Sequence, residues 1–184
     1  MHNSMEFSTA RLCCRPLTQA DKAHYCALYS NPRVMRKITR PFTGQQAEAH
    51  FNNALSKTGE RPFSRLCWVI EERATGAFVG IQGLVWQEPD TTEAEIGIML
   101  LPKSNGKGYP VEGMGALVDY GFNHLGLERI HAQFNATQLA TEKFVKRLGF
   151  TVYSSIEETP FGPAKSCDIL RKNWIPKQAV DTTA

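Results

Sequence analysis

The loop from Lys103 to Gly108, with the sequence KSNGKG, is the segment of this 184-residue chain whose spacing most clearly predicts chemistry. Its two glycines allow the backbone to adopt positive φ angles and to pass close to a ligand. An apolar, strand-like run precedes the loop, and an amphipathic segment with Pro110 in its first turn follows it. Because a helix start presents unpaired N–H groups and the positive end of a dipole, this order predicts an anion site, typically for phosphate.

Other chemistries find less support in the residues. A nucleoside-triphosphate P-loop requires Ser or Thr after its lysine, whereas Gly108 follows Lys107 here. Cys167 has no adjacent histidine or cationic partner that would make it a nucleophile. Four histidines are not spaced as metal ligands usually are: His24, His50, His124 and His131. We therefore expect no metal site, although a single histidine base stays possible.

Composition narrows the class of protein. A formal net charge of +3 without a Lys/Arg cluster argues against nucleic-acid binding. Hydrophobic content of 42% and charged content of 21% are ordinary for a globular protein, and we expect a single domain over residues 1–176 with a frayed polar tail at 177–184. Five scattered cysteines, with no signal peptide or membrane-spanning run in the sequence, predict a cytoplasmic protein with reduced thiols.

Periodicity and turn residues predict the elements that must position the loop. Thr18 and Thr43 are the expected N-caps, Gly149 is the expected helix end, and Glu112 is expected to stabilise the dipole of the central helix. Helices are predicted at 19–29, 34–38, 43–57, from about 110 onward, and at 139–147. Strands are predicted at 12–17, 65–72, 78–86, 93–101, 129–135, 151–156 and 166–172. The order predicts an α/β (α+β) fold, a mixed central sheet of about seven strands flanked by about four helices.

With this order of elements, the chain resembles the GNAT superfamily of acetyl-CoA-dependent N-acetyltransferases. The family's pyrophosphate loop reads Gln/Arg-x-x-Gly-x-Gly/Ala, to which KSNGKG is similar, with Lys103 in the place of Gln or Arg. The strings RLCCRPLTQAD, LYSNPRVM, AEIGIMLLPKSNGKGYPVEG and RLGF resemble the branch that contains the ribosomal-protein N-terminal (alanine/serine) acetyltransferases. The matches span residues 8 to 153, and they imply the GNAT fold with acetyl-CoA as cosubstrate.

The resemblance also implies which residues contact acetyl-CoA. Backbone N–H groups of residues 105–109 would hold the pyrophosphate, with added charge from Lys107 and Lys103. The main chain at 99–101 would pair with the pantetheine arm and polarise the thioester carbonyl, and Gln138 stands near the place of a family Asn that touches pantetheine or a water. The implied cosubstrate-binding residues are Met99, Leu100, Leu101, Lys103, Ser104, Asn105, Gly106, Lys107, Gly108, Tyr109 and Gln138.

Three residues are candidates for proton transfer. Glu95 occupies a strand position where many superfamily members carry a base, often acting through water; the alternative is a structural carboxylate bonded to nearby backbone. Glu158, with Glu157 before it, lies near the region of the branch's candidate base, or is a solvated loop charge. The tyrosine acid of other members is replaced by Val145. Thr141 could instead donate to the leaving thiolate, or it could bond a local backbone group.

The predicted reaction is transfer of the acetyl group from acetyl-CoA to a primary amine by direct attack on the thioester. The acceptor stays open between a protein N-terminal amine and a small-molecule amine. A non-catalytic acyl-CoA-binding or regulatory domain on the same fold is the alternative from a different class. By analogy with the superfamily a homodimer is possible, and neither a nucleic acid nor a membrane is an expected partner.

Overall fold

A computed structural model describes residues 5–36, 38–89 and 91–177. The strands it assigns form one mixed sheet in the order β1-β2-β3-β4-β5-β6-β8-β7. Neighbouring strands are antiparallel except β5 and β6, which are parallel. The strands are β1 (Phe7–Ser8), β2 (Leu12–Pro16), β3 (Arg65–Glu72), β4 (Phe78–Val85), β5 (Glu93–Leu100), β6 (Arg129–Asn135), β7 (Thr151–Thr159) and β8 (Gly162–Leu170).

Helices cover both faces of the sheet. The helices are α1 (Lys22–Ser30), α2 (Pro32–Met35), α3 (Gly44–Lys57), α4 (Tyr109–His124) and α5 (Leu139–Leu148). One core cluster packs α1 and α3 against β3 and β4, and a larger one packs α4 and α5 against the opposite face. The predicted mixed α/β (α+β) fold is confirmed. The predicted tail at 177–184 lies outside the described residues apart from Lys177.

The strand and helix counts differ slightly from the prediction, with eight strands rather than about seven and five helices rather than about four in the described chain. The additional strand β1 is only two residues long and pairs Phe7 with Cys14, so it leaves no alternating pattern to detect. The short helix α2 begins at Pro32 rather than at residue 34, because the Asn31 side chain caps it by accepting from the backbone N–H of Arg33 and Val34.

The last two strands are longer than predicted, and this changes where Glu157 and Glu158 lie. Strand β7 runs to Thr159 and β8 begins at Gly162, so both glutamates sit within a strand rather than in a loop. Two predicted helix boundaries are confirmed. Thr43 forms a capping box with Gln46 at the start of α3, and Gly149 adopts a φ of +105° after α5.

The parallel strands β5 and β6 part shortly after they meet. They pair only where residues 93–95 face residues 129–131. Beyond that point β5 stays paired with β4 as far as Leu100, and β6 stays paired with β8 as far as Asn135. Between them the sheet opens into a V, and each strand presents a free edge to the gap.

Candidate active site

The V between β5 and β6 is the inner part of a cleft of about 1270 Å³. We divide its outer part into two arms. The loop arm is formed at the starts of α4 and α5 by Asn105, Gly106, Gly108, Gln138 and Thr141. The arginine arm is formed by Tyr25, Tyr29, Arg33, Arg36 and Arg65, which come from α1, the region of α2, and β3.

The glycine loop presents bare backbone to the loop arm. Gly106 and Gly108 have φ angles of +78° and +77°, in the left-handed region that favours glycine, and Gly108 is the N-cap of α4. A Cβ added at Gly106 would meet no atom of the described protein within 4 Å. At Gly108 the nearest atom would be an Arg11 nitrogen at 3.5 Å. The space beside Gly106 is therefore open, as the binding of an anion by backbone N–H groups at a helix start requires.

Arg11 holds the glycine loop from behind. Its guanidinium donates to the backbone carbonyl of Lys107 at 2.9 Å and to the buried carboxylate of Glu112 at 2.6 Å from both Nε and Nη2. Glu112 also accepts from the Thr9 hydroxyl at 2.5 Å and from the Arg11 N–H at 2.9 Å. Burial alone would raise the pKa of Glu112, but these hydrogen bonds hold that pKa below its usual value. Glu112 therefore anchors the loop, a role beyond the predicted dipole effect.

The side chains of Tyr109 and Lys107 both bond Glu72; of the two, only the Lys107 side chain was expected to add charge at the anion, since Tyr109 was expected to contribute its backbone N–H. The Tyr109 hydroxyl donates to Glu72 Oε1 at 2.6 Å, and Lys107 Nζ lies 3.5 Å from the same oxygen. Neither residue lines the cleft. Of the other implied contacts, Met99, Leu100, Asn105, Gly106, Gly108 and Gln138 line it, whereas Leu101, Lys103 and the buried Ser104 do not.

The free edge of β5 overlaps only in part with the residues 99–101 that were expected to pair with the pantetheine. The Leu101 N–H donates to the Val79 carbonyl of β4 at 2.9 Å. Since the residues of an antiparallel strand alternate between bonding their neighbour and facing away from it, Leu100 and Ile98 direct their N–H and C=O groups toward the gap. An extended ligand in the V would therefore pair with Ile98 and Leu100. Ile98 was missing from the sequence prediction because its strand edge depends on the register with β4.

Glu95 lies at the vertex of the V. It is the last residue of β5 that pairs with β6, its register partner is His131, and its half-buried side chain lines the cleft. The Glu95 carboxylate has no hydrogen bond or ion pair within the described chain. No contact therefore supports the alternative that Glu95 is a structural carboxylate bonded to nearby backbone. His131 lines a smaller cavity of about 210 Å³ that Glu95 also borders. This pairing of Glu95 with His131 could not be predicted from spacing in the sequence, because it arises only from the parallel register.

The other proton-transfer candidates are placed differently. The Thr141 hydroxyl lines the cleft and donates to Gln138 Oε1 at 2.8 Å, so it bonds a side chain rather than the backbone. Glu158 is exposed on β7, opposite Pro163 of β8, and is not brought to the cleft. Glu157 accepts from the Gln133 amide at 3.0 Å. Of the three predicted catalytic residues, the structure brings Glu95 and Thr141 to one cleft.

Neutral rings orient the central residue of the arginine arm. Arg65 Nη1 donates to His50 Nε2 at 3.2 Å, which leaves the ring's Nδ1–H to donate to the Tyr25 hydroxyl at 2.8 Å. Burial and the nearby Arg65 charge lower the pKa of His50, so the imidazole is neutral at neutral pH. Burial raises the pKa of Tyr25 and of Tyr29, so both stay phenols.

The described residues give no sign of two other kinds of site. No group of three or more His, Cys, Asp or Glu side chains that could hold a metal ion occurs in ranges 5–36, 38–89 and 91–177. In the same ranges, no helix is both long and apolar enough to cross a membrane.

The cleft combines three features: two parallel strands that part, a glycine loop at one end, and a helix that starts behind the loop. Together they define an acyl-CoA-dependent transferase site. The family model "Acetyltransferase (GNAT) domain" matches residues 11–151, so the chain belongs to the GNAT acetyltransferase family. It is an N-acetyltransferase that uses acetyl-CoA as cosubstrate. The expected likeness to the ribosomal-protein branch stays a prediction.

Several known proteins are similar to this chain. An uncharacterized N-acetyltransferase, p20, from Bacillus licheniformis is 31% identical over 77% of this chain and 80% of its own length. An uncharacterized protein, YkkB, from Bacillus subtilis (strain 168) is 26% identical over 86% of this chain and 92% of its own length. A spermidine N-acetyltransferase from Vibrio cholerae, solved with CoA and spermine, has a TM-score of 0.77 at 20% identity and covers 88% of this chain and 96% of its own.

Proposed function

We propose that this chain transfers the acetyl group from acetyl-CoA to the primary amine of a small molecule bound in the arginine arm. The observation that carries the proposal is the V between β5 and β6, which has the glycine loop at one end and Glu95 at its vertex. A solved neighbour of the same fold contains CoA together with spermine, a small-molecule amine. This neighbour supports a small-molecule acceptor in general. Which amine this chain accepts depends on the side chains of its own cleft.

The loop arm is suited to the anionic end of acetyl-CoA. Backbone N–H groups around Gly106 and Gly108 would take the pyrophosphate, because no side chain of the described protein occupies the space in front of them. The extended pantetheine arm would then pair with the free groups of Ile98 and Leu100, as an added strand does. This path directs the thioester toward the vertex of the V.

Glu95 is proposed as the general base. The amine nitrogen attacks the thioester carbonyl, the C–N bond forms, and the C–S bond breaks as the tetrahedral intermediate collapses. The carboxylate of Glu95 takes the proton from the amine, directly or through one water, because it lines the cleft and holds no competing partner within the described chain. A free N–H on the β5 edge would stabilise the oxyanion.

The leaving thiolate needs a hydrogen-bond donor until it takes a proton from water or from the protonated Glu95, and Thr141 is the donor that we propose. Its hydroxyl lies in the loop arm and donates to Gln138, from which it could rotate toward the sulfur once the pantetheine is in place. Glu158 stays a prediction from sequence alone. The structure puts it on the exposed part of β7, outside the cleft.

An acceptor screen tests the proposed function. The protein is incubated with acetyl-CoA and a panel of amino acids, polyamines, aromatic amines and peptides with free N-termini, and the release of free thiol is followed. We expect release with at least one class of small amine, and the acetylated product by mass spectrometry. Turnover with peptides alone would move the acceptor to protein N-termini. Binding of acetyl-CoA without release for any acceptor would contradict the proposal and favour a regulatory domain.

A further inference from the structure

Positively charged side chains outnumber negatively charged ones among the described residues that line the cleft. Among the described residues that line it, the arginines are Arg33, Arg36 and Arg65, and the one carboxylate is Glu95. The arginines lie together in the arginine arm, whereas the pyrophosphate loop belongs to the other arm. Their charge therefore faces the acceptor side of the cleft, where a polycationic amine would meet several like charges.

Arg65 is the arginine whose surroundings point most clearly to a ligand. It is half-buried at the start of β3, and no carboxylate of the described chain lies within ion-pair distance of it. The other strand arginines of the sheet differ: Arg15 pairs with Asp21 and Glu71, and Arg129 pairs with Glu93 and Asp168. The neutral ring of His50 orients Arg65 but supplies no negative charge. The guanidinium of Arg65 therefore lines the cleft with no carboxylate from the described chain to neutralise it, so an anionic group of a ligand can bind there.

The strand register sets the distance between Arg65 and the proposed base. Arg65 pairs with Val85, and Val85 pairs with Glu95, so Arg65 and Glu95 point from the same face of the sheet two strands apart. With strands about 4.8 Å apart, their Cα atoms are roughly 10 Å apart. A small molecule can span this distance with its amine near Glu95 and a second group near Arg65.

The next row of the sheet leaves room for such a molecule. Cys67, Gly83 and Gly97 are register partners on β3, β4 and β5, and all three line the cleft. Two of the three carry no side chain. A Cβ added at Gly97 would meet no described atom within 4 Å, so the space above β5 is open. The row forms a shallow trough beside the row of Arg65, Val85 and Glu95.

We propose that the acceptor is an amine that also carries a carboxylate, which Arg65 binds with help from Arg33 while the amine lies at Glu95. The inference rests on the proposed acetyl transfer and adds the chemical class of its acceptor. A planar guanidinium suits a carboxylate because it can donate two parallel hydrogen bonds. The carboxylate can belong to a free amino acid or to an acidic side chain near the N-terminus of a peptide.

Matched acceptor pairs test the inference. Lysine and 1,5-diaminopentane differ by one carboxylate, and glycine differs from glycinamide in the same way. The peptide amides Ser-Glu-Ala and Ser-Gln-Ala form a third pair that separates the peptide source from the free amino acid. We expect kcat/KM to be roughly 10- to 100-fold higher for the member with the additional carboxylate in at least one pair, the range of a charge-assisted hydrogen-bonded contact. Equal rates within each pair, or faster turnover of the member that lacks the carboxylate in every pair, would overturn the inference.

Variants of Arg65 separate carboxylate binding from a general effect on the base. Arg65→Gln should remove the preference for the member with the additional carboxylate, mainly by raising its KM, while the affinity for acetyl-CoA stays unchanged. Arg65→Lys should keep part of the preference, and the exposed Arg33→Gln should reduce it without any risk to folding. Arg171→Gln, which removes an exposed arginine outside the cleft, is the control for net charge.

Two results would distinguish the possible failures. If Arg65→Gln shifts the pH profile of all acceptors alike and leaves the ratio within each pair unchanged, Arg65 only positions Glu95 and the inference is wrong. If no amine in any pair releases thiol although acetyl-CoA binds, the proposed acetyl transfer itself fails. Turnover only of amines that lack a carboxylate refutes the inference that the acceptor carries one, but it agrees with the proposed acetyl transfer.

Discussion

The loop arm of the cleft consists mainly of backbone supported from behind, whereas the arginine arm consists of side chains from three separate segments. In the loop arm, Gly106 and Gly108 expose N–H groups, and Arg11 and Glu112 hold the loop in place. In the arginine arm, Arg65 depends on His50 for its orientation and has no carboxylate partner in the described chain. The difference indicates that the first arm suits a cosubstrate shared by a whole family, and the second a particular acceptor.

Gly106→Val should break the loop arm and have the largest effect of the variants considered. The new side chain would fill the space in front of the loop and exclude the pyrophosphate from its N–H groups. We expect acetyl-CoA affinity by calorimetry to fall by at least ~100-fold, the loss of two charge-assisted hydrogen bonds.

Gly76→Val is a matched control for this change. Gly76 lies in the β3–β4 turn, has a φ of +68°, and has no atom within 4 Å of an added Cβ. Both variants pay a similar strain of about 1–2 kcal/mol for a positive φ, so both should unfold at similar temperatures. Intact affinity in Gly106→Val, or equal loss in both variants, would refute the placement of the pyrophosphate.

Glu95→Gln should slow the chemistry at the vertex where the two arms meet. A general base typically contributes about 10²- to 10⁴-fold, so we expect kcat to fall by at least ~100-fold with acetyl-CoA affinity unchanged. Glu93→Gln is the control, because Glu93 lies two residues earlier on the same strand and pairs with Arg129 outside the cleft. If instead His131→Gln abolishes turnover and Glu95→Gln does not, the base is the histidine.

Gly97→Val should affect the acceptor side alone. The added side chain projects into the trough, and its Cβ meets no described atom, so the fold should persist. We expect the KM of the acceptor to rise roughly tenfold or more through misplacement of the amine, while acetyl-CoA affinity stays within a factor of about two. A large loss of acetyl-CoA affinity would show that the two arms are not separable.

The sequence predicts the loop arm better than the arginine arm. The glycine loop and its helix start are contiguous, so their spacing alone predicted an anion site at Gly106 and Gly108. The arginine arm joins residues far apart in the chain, and only the register of β3, β4 and β5 brings Arg65 and Glu95 to the same face of the sheet. The contacts of the Lys107 and Tyr109 side chains could not be predicted for a related reason, since their partner Glu72 lies on β3.

Glu112→Gln should weaken the support behind the loop and have the smallest effect on activity. The carboxylate accepts from Thr9 and Arg11 in a buried position, so its loss should lower the free energy of unfolding by about 1–3 kcal/mol. Acetyl-CoA affinity should fall only a few-fold, because Arg11 keeps its bond to the Lys107 carbonyl. Glu128→Gln, which breaks an exposed ion pair with Arg171, should change stability by less than about 1 kcal/mol.

The pH dependence of stability gives the sign of the Glu112 contribution. Its pKa in the folded chain is lowered below the usual value of about 4.5, so the unfolded chain binds the proton more readily than the folded one. The stabilisation is therefore complete above pH 4.5 and is lost as the pH falls through the folded-state pKa. Thermal unfolding of wild type and Glu112→Gln between pH 7 and pH 3 should show a gap that narrows only below pH 4.5. A gap that widens on acidification would mean that the carboxyl is protonated in the folded protein, and that Arg11 holds the loop without a charged partner.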